Sequence, residues 1–195
     1  MNKYSPEEKF ILQRLENELS GNLTYHGLHH TLDVLGAALK IAEAEKLSEH
    51  EIKLLRIAAL FHDAGFTRVY KNHEEKGCQM VKDILPSFGY AEEEITIICG
   101  MIMATKIPQS PKTKLEKIIC DADLDYLGRN DFHRISNTLF EEMKIYVHVH
   151  DEKQWNIIQK NFLEKHHYYT QYGIINREPK KQKHLKKIEK LISSL

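Results

Sequence analysis

Apolar side chains recur along almost the whole chain at intervals of three and four residues, the spacing of one face of an α-helix. The apolar–polar alternation of a half-buried strand is scarce. Glycine, proline and N-capping residues separate the periodic stretches. The pattern predicts an all-α fold, a globular bundle of about eight or nine helices. The predicted helices are 6–18, 27–46, 48–65, 72–85, 91–104, 113–124, 131–145, 152–166 and 179–195.

No repeat, low-complexity tract or long linker divides these helices into separate domains. A chain of 195 residues is long enough to bury most of its apolar surface in one core. We therefore expect a single domain over 1–195. The stretches with candidate chemistry fall within about 25–127, and we expect the helices of 131–195 to pack on that core.

Composition and charge exclude several classes of protein. The 28 basic residues balance the 28 acidic ones, so net charge favours neither a nucleic acid nor a membrane surface as partner. No apolar run approaches the ~18 to 20 residues of a membrane span, and the start MNKYSPEEKF has no signal-peptide core. The three cysteines lie far apart among apolar neighbours, so we expect buried thiols and a cytoplasmic location. The unusual count is histidine, with twelve residues.

The second predicted helix separates the three histidines of the stretch YHGLHHTLD by their position around the helix. At ~100° per residue, His30 continues an apolar stripe with Val34, and His26 lies one turn earlier. His29 falls on the polar face with Asp33, so we expect it at the surface, paired with that carboxylate. A buried histidine is more often a hydrogen-bonded core residue than a metal ligand. Other residues must therefore decide the role of His30.

The third predicted helix ends in the run AALFHDAGF, where His62 continues an apolar stripe and Asp63 follows directly. Burying a carboxylate that has no partner costs on the order of several kcal/mol of folding free energy, and a bound cation offsets that cost. The alternative is an Asp63 that caps a turn or pairs with Arg68. Because His30 of the second predicted helix also points inward, we favour a metal site over these alternatives.

The acidic cluster DADLD at the end of the sixth predicted helix supplies a further carboxylate. Asp123 lies one turn after Ile119, near the apolar stripe, whereas Asp121 lies well round the helix. We choose Asp123 as the inward carboxylate and keep Asp121 as the alternative. Asp125 belongs to the turn that ends at Gly128.

The ordered pattern H…HD…D, within YHGLHHTLDVL, ALFHDAGF and ICDADLDYLG, resembles the HD superfamily of metal-dependent phosphohydrolases. The resemblance runs from about 25 to 127 and implies an HD-domain-like helical fold. It implies that His30, His62, Asp63 and Asp123 bind a divalent metal ion. Two imidazoles and two carboxylates suit Mn, Fe, Co, Ni, Mg or Zn. Such an ion activates water and neutralises phosphoryl charge.

The resemblance also implies roles around the metal site. Cyclic-nucleotide phosphodiesterases, a distant branch, have a similar YH-x-x-x-H stretch whose first histidine protonates the leaving oxygen, which makes His26 the candidate acid. His73 is a candidate to contact metal or substrate, and Glu74 to orient water. Some branches bind a second metal through a histidine here and another in the next helix, but IICGMIMATKIP has none. The alternative for His73 and Glu74 is that they are ordinary residues of a first helical turn, where the Glu74 carboxylate interacts favourably with the helix dipole.

Basic residues beside the predicted site elements are candidates to bind phosphate. Lys106, at the start of a proline-containing loop, is the preferred contact, and Arg68 is a second candidate. The alternative for both is that they are solvated surface residues with no role in binding. Six other histidines lie outside the stretches that carry the candidate site, and we expect them to be structural or exposed. They are His133, His148, His150, His166, His167 and His184.

The sequence thus predicts metal-dependent hydrolysis of a phosphomonoester or phosphodiester in a small molecule, a nucleotide being one candidate. The expected partners are a divalent metal ion and this phosphate-containing substrate, with neither a membrane nor a nucleic acid. One alternative is a ligand-binding regulator on the same scaffold without hydrolysis. Another is a di-iron oxygenase of the same fold, which needs more histidine ligands than the pattern supplies.

Overall fold

The computed structural model describes residues 4–194, and within that range it contains ten α-helices and no strand. The helices are α1 Pro6–Glu18, α2 Leu28–Ala44, α3 Glu49–Phe61, α4 His73–Ile84, α5 Glu92–Ala104, α6 Lys114–Asp123, α7 Phe132–Tyr146, α8 Glu152–Lys165, α9 Gln171–Asn176 and α10 Glu178–Ser193. Short 3₁₀ turns follow α3, α4 and α6, at Ala64–Thr67, Leu85–Phe88 and Asp125–Gly128. The predicted all-α class is confirmed.

All nine predicted helices are present, with two differences. The third ends at Phe61 rather than near residue 65, because the chain turns at His62 into the 3₁₀ turn Ala64–Thr67. The sequence also missed α9, which at six residues is too short to show a helical period. Residues 1–3 and the predicted helix end at 195 lie outside the described residues.

Ser48 begins α3 in the way that the sequence predicts. Its hydroxyl accepts a hydrogen bond from the Glu51 N–H at 3.3 Å, and the Glu51 carboxylate accepts one from the Ser48 N–H at 2.8 Å. These reciprocal bonds satisfy backbone donors that the first helical turn leaves free. The N-terminus of α3 is thereby fixed, thirteen residues before the His62–Asp63 pair that its far end presents.

The main hydrophobic core joins α1 to α6, and α2 packs against both α3 and α6. Full burial of an aliphatic side chain such as Ile41 or Leu55 stabilises the fold by about 1.5–3 kcal/mol. The three cysteines are buried and free, as expected. A second cluster ties the C-terminal helices to the end of α6; its members include Tyr25, Leu124, Leu127, Phe132, Leu163 and Ile188. Among the described residues, no helix combines the length and apolarity that crossing a membrane requires.

Candidate metal centre and cavity

The four predicted ligands lie together where α2, α3 and α6 meet. The Nε2 atoms of His30 and His62 are 3.4 Å apart. Nε2 of His30 lies 3.2 Å from Oδ1 of Asp123, and Nε2 of His62 lies 3.2 Å from Oδ2 of Asp63. One ligand atom from each of His30, His62 and Asp123 fits within 4.8 Å of the others. The fold therefore brings together side chains that are separated by up to 93 residues in sequence.

Local structure fixes how each ligand is presented. His30 lies in the first turn of α2, His62 is the residue that ends α3, and Asp123 is the last residue of α6. Nδ1 of His62 donates to the Ala59 carbonyl at 2.8 Å. This bond selects the tautomer in which Nε2 has a free lone pair, the form that binds a metal ion.

The charges of this cluster match what a divalent ion needs. Burial by itself raises the pKa of Asp63, but the imidazoles of His62 and His73 outweigh it and hold that pKa well below its usual range. Burial is likewise outweighed at Asp123, where His30 and His62 lower the pKa to about 2. For His62, both carboxylates outweigh burial and raise the pKa well above its usual value, so its Nε2 holds a proton that a cation at this position would replace. The two carboxylates are thus ionised and attract positive charge.

One atom of the cluster has no hydrogen-bond partner. Oδ2 of Asp63 is buried and accepts no hydrogen bond of good geometry within the described protein, although Nε2 of His62 lies 3.2 Å and Nε2 of His30 lies 3.4 Å from it. An ionised oxygen left in this way is costly, and a cation satisfies it. The donor set of two imidazole nitrogens and two carboxylates therefore fits a first-row divalent metal ion.

His73 and Glu74, at the start of α4, lie beside the ligands. Nε2 of His73 is 3.4 Å from Oδ1 of Asp63 and 3.5 Å from Oε1 of Glu74. Its Nδ1 lies 3.3 Å from the Tyr70 carbonyl. The structure thus brings both predicted residues to the centre, with His73 in contact with a ligand carboxylate.

His26 is held by Glu142, a residue that the sequence analysis missed. Glu142 lies in α7 and is fully buried, with 0% of its surface exposed. Its Oε2 accepts the N–H groups of Tyr25 and His26 at 2.9 and 3.0 Å. Its Oε1 contacts Nδ1 of His26 and accepts the Tyr70 hydroxyl at 3.2 Å. A signal was available, because Glu142 continues the apolar face that Leu139 occupies one turn earlier in α7.

An aromatic ring fixes the two outer histidines. The Phe66 ring stacks on His26 with centroids 4.3 Å apart, and on His73 with centroids 3.8 Å apart. Phe66 belongs to the 3₁₀ turn directly after Asp63. The turn therefore sets the spacing between the candidate acid and the histidine of α4.

The two predicted phosphate contacts are paired with carboxylates at the surface. Arg68 donates to Glu18 at 2.8 Å, so it does not pair with Asp63, and Lys106 contacts Glu75. Their side chains are 46% and 38% exposed. Their phosphate-binding role stays a prediction, and this geometry gives it no support.

The remaining acidic residues of the region have structural partners. Asp121 accepts the N–H groups of Tyr169 and Thr170, each at 2.8 Å, and also the Thr170 hydroxyl. Asp125 lies in the turn ending at Gly128, as expected, and accepts from Arg177 at 2.6 Å. These bonds direct Asp121 and Asp125 away from the histidine cluster.

His29 is exposed, but the pairing expected for it is wrong. Asp33 instead accepts a hydrogen bond from Nη1 of Arg129 at 2.8 Å. Arg129 arrives from the segment between α6 and α7, and helical position within α2 alone does not reveal it.

A cavity of about 260 Å³ opens beside the metal centre. At the end nearest the centre, its wall includes His26, Asp63, His73, Glu74 and Asp123. The remainder is lined mainly by apolar side chains, many of them from α7 and α8. The arrangement has space for a small organic molecule next to the candidate ligands.

Comparison with known proteins gives three likenesses. The profile of the HD domain family matches residues 27–125, which is half of the chain. A crystal structure of a predicted HD superfamily hydrolase from an uncultured Thermotogales bacterium superposes with a TM-score of 0.65 at 20% identity, covering 97% of this chain and 93% of that one. An uncharacterized protein of Clostridium beijerinckii is 37% identical over 76 residues, 37% of this chain and 48% of that protein. The match thus spans about half the length of this curated relative.

Proposed function

Because the chain belongs to the HD domain family, we propose that it is a metal-dependent phosphohydrolase acting on a phosphomonoester or phosphodiester in a small molecule. The observation that carries the proposal is the convergence of His30, His62, Asp63 and Asp123 at one end of a cavity. A nucleotide is one candidate substrate.

The four converging side chains would hold the ion. His30 and His62 would contribute Nε2 atoms, and Asp63 and Asp123 would contribute carboxylate oxygens. A divalent ion supplies Lewis-acid activation of water and neutralises phosphoryl charge when bound. The protein must then orient the ester and move a proton to its leaving group.

His26 would carry out that proton transfer. It lines the cavity, and the Glu142 carboxylate contacts its Nδ1. Nε2 is then the nitrogen that donates a proton to the leaving oxygen. Burial raises the pKa of Glu142, but the hydrogen bonds from His26 outweigh it and lower that pKa, so the carboxylate beside Nδ1 is ionised. Glu142 would therefore orient the ring of His26.

His73 and Glu74 would also act at this centre. His73 contacts Oδ1 of Asp63 and so fixes the orientation of that carboxylate. It also reaches the cavity wall, where it would contact the phosphoryl group. Glu74 is buried on the same wall and would accept a hydrogen bond from water beside the ester.

The test combines metal analysis with an ester panel. The full chain is purified without added metal, its metal content is measured by mass spectrometry, and phosphomonoesters and phosphodiesters, nucleotides among them, are assayed. About one ion per chain with ester hydrolysis supports the proposal. Two irons with oxygen consumption would replace it by the oxygenase, and metal with no turnover would replace it by the regulator.

A matched pair of histidine variants sharpens this test. His26→Ala should lower turnover strongly while the metal stays bound, because His26 is assigned to proton transfer and not to the ion. His29→Ala should keep nearly full turnover, because its side chain is exposed on the other face of the same turn. Equal losses in both variants would contradict the role of His26.

A further inference from the structure

The cavity has two chemically different ends. Its His, Asp and Glu side chains gather at the candidate metal centre, and the wall formed by α7 and α8 is mainly apolar. Leu139 and Met143 contribute from α7, and Ile158 and Phe162 contribute from α8. A molecule bound with a phosphoryl group at the metal centre therefore extends its remaining atoms between these two helices.

The charges on the wall limit how many phosphoryl groups the substrate carries. Among the described residues that line the cavity, none is a lysine or an arginine. Each phosphate of a di- or triphosphate needs cationic partners in a site that excludes water. The two basic residues that the sequence singled out, Lys106 and Arg68, are engaged by Glu75 and Glu18 at the surface. The nitrogen-bearing ionisable side chains on the wall are those of His26 and His73, so the wall offers partners for a phosphoryl group only at the end near the candidate ligands.

The polar groups deeper in the cavity are neutral. The hydroxyl of Ser136 donates to Oε1 of Gln159, and Nε2 of Gln159 donates to Asn156 at 3.2 Å. A hydroxyl and an amide recognise an uncharged group and do not compensate an ion. The volume of about 260 Å³ exceeds the ~150 Å³ apolar cavity that is sufficient for benzene. An aromatic ring or a short alkyl group fits.

We propose that the substrate is a phosphoester with a single phosphoryl group and an uncharged, largely apolar remainder, which lies between α7 and α8. This inference rests on the proposed function and narrows its nucleotide candidates to monophosphates. Leu139, Ile158 and Phe162 are its specificity-determining residues.

The chain carries its own probe of cavity filling. Trp155 is its single tryptophan, and it lines the cavity. We would titrate the metal-loaded full chain with phenylphosphonate and with methylphosphonate, whose P–C bonds are not hydrolysed, and follow tryptophan fluorescence. Phenylphosphonate should change the emission and bind at least tenfold more tightly than methylphosphonate. This readout does not depend on turnover.

Adjacent isoleucines of α8 give a matched pair of variants. Ile158 lines the cavity, whereas Ile157 is 41% exposed. Ile158→Phe should weaken phenylphosphonate binding and lower kcat/KM for phenyl phosphate at least tenfold, with little change for methyl phosphate. Ile157→Phe should alter none of these values. The wild-type comparison of the two phosphonates tests the inference even where Ile158→Phe does not fold.

The outcomes separate this inference from the proposed function. Equal affinity for the two phosphonates, or faster hydrolysis of nucleoside triphosphates than of phenyl phosphate, overturns the inference and leaves a phosphohydrolase. Selective binding of phenylphosphonate with no hydrolysis of any ester supports the apolar site and overturns the proposed function. Selective binding together with phenyl phosphate hydrolysis supports both.

Discussion

Glu142 shows how one buried carboxylate can fix a residue in a distant segment of the chain. It accepts two backbone N–H groups from the segment before α2, contacts the ring of His26 and accepts the Tyr70 hydroxyl. Hydrogen bonds to a charged acceptor contribute about 1.5–3 kcal/mol each, more than those between neutral groups. The position of His26 is therefore set from α7, across 116 residues of sequence.

Glu142→Gln should lower kcat by roughly 10²–10⁴-fold, the range typical of general acid–base catalysis, with metal content and KM nearly unchanged. The amide has one oxygen and cannot serve the two N–H groups and the His26 ring together. Steady-state kinetics and metal analysis on the folded variant check this.

Tyr70→Phe is the matched control for that variant. It removes another hydrogen bond to Oε1 of Glu142 and leaves the contact with His26 in place. Its kcat should fall far less than that of Glu142→Gln. A wild-type kcat for Glu142→Gln would show that the carboxylate has no positioning role.

The two aspartates of α6 separate metal binding from stability. Asp123→Asn should fold and lose the ion, because its carboxylate faces His30 and His62. Asp121→Asn should keep the ion and lose about 1–3 kcal/mol of unfolding free energy, because an amide cannot accept every bond that the Asp121 carboxylate accepts. Metal analysis and urea unfolding of both variants would decide, and the reverse pattern would contradict the assignment of Asp123.

At the scale of elements, the turn after α3 depends on close approach of the backbone. An added Cβ at Gly65 would lie 1.9 Å from the His73 carbonyl oxygen. Only glycine allows the 3₁₀ turn and the start of α4 to be this close. The contact places His73 next to Asp63, so the glycine belongs to the construction of the site.

Gly65→Ala should lower the unfolding free energy by about 1–3 kcal/mol or more, because backbone must move to make room. It should also reduce turnover by displacing His73. Gly36→Ala in α2 is the control, because an added Cβ there meets nothing within 4 Å and should stabilise the helix by about 0.5–1 kcal/mol. Urea unfolding compares the two, and equal effects would contradict the steric argument.

Helical periodicity was sufficient to predict nine of the ten helices of the described residues and to choose the inward side chains His30, His62 and Asp123. It indicates a direction around each helix but does not show which distant helix lies there. The bond between His26 and Glu142 and the pairing of Asp33 with Arg129 join residues 116 and 96 positions apart, so both were missed. Periodicity does not reveal ion pairs between surface residues of different elements either. Lys106, which follows α5, forms such a pair with Glu75 of α4.

For the whole molecule, the pH dependence of stability has an identifiable source. Burial, together with the ammonium group of Lys181, lowers the pKa of His166 to about 3. In the unfolded chain that pKa is about 6.5. Between these values the unfolded state binds a proton that the folded state does not, so this residue lowers stability as pH falls below 6.5.

His166→Gln should remove about 1 kcal/mol of the stability lost between pH 6.5 and pH 5.5. Urea unfolding of wild type and variant at each pH checks this, because the other titrating groups cancel in the difference. His167→Gln, at the exposed neighbouring position, should keep the wild-type slope. An unchanged slope for His166→Gln would contradict a neutral, buried His166.

The candidate metal ligands and the apolar lining of the cavity come from two successive stretches of the chain, so the ester specificity of such a protein can change while its metal site is kept. The four candidate ligands all fall within residues 27–125, whereas Leu139, Ile158 and Phe162 come after them. Exchanging the later helices for those of a relative should therefore yield a hybrid that keeps its metal and accepts a different ester. Glu142 sets the condition, since a donor helix without a carboxylate at that position would leave His26 unsupported.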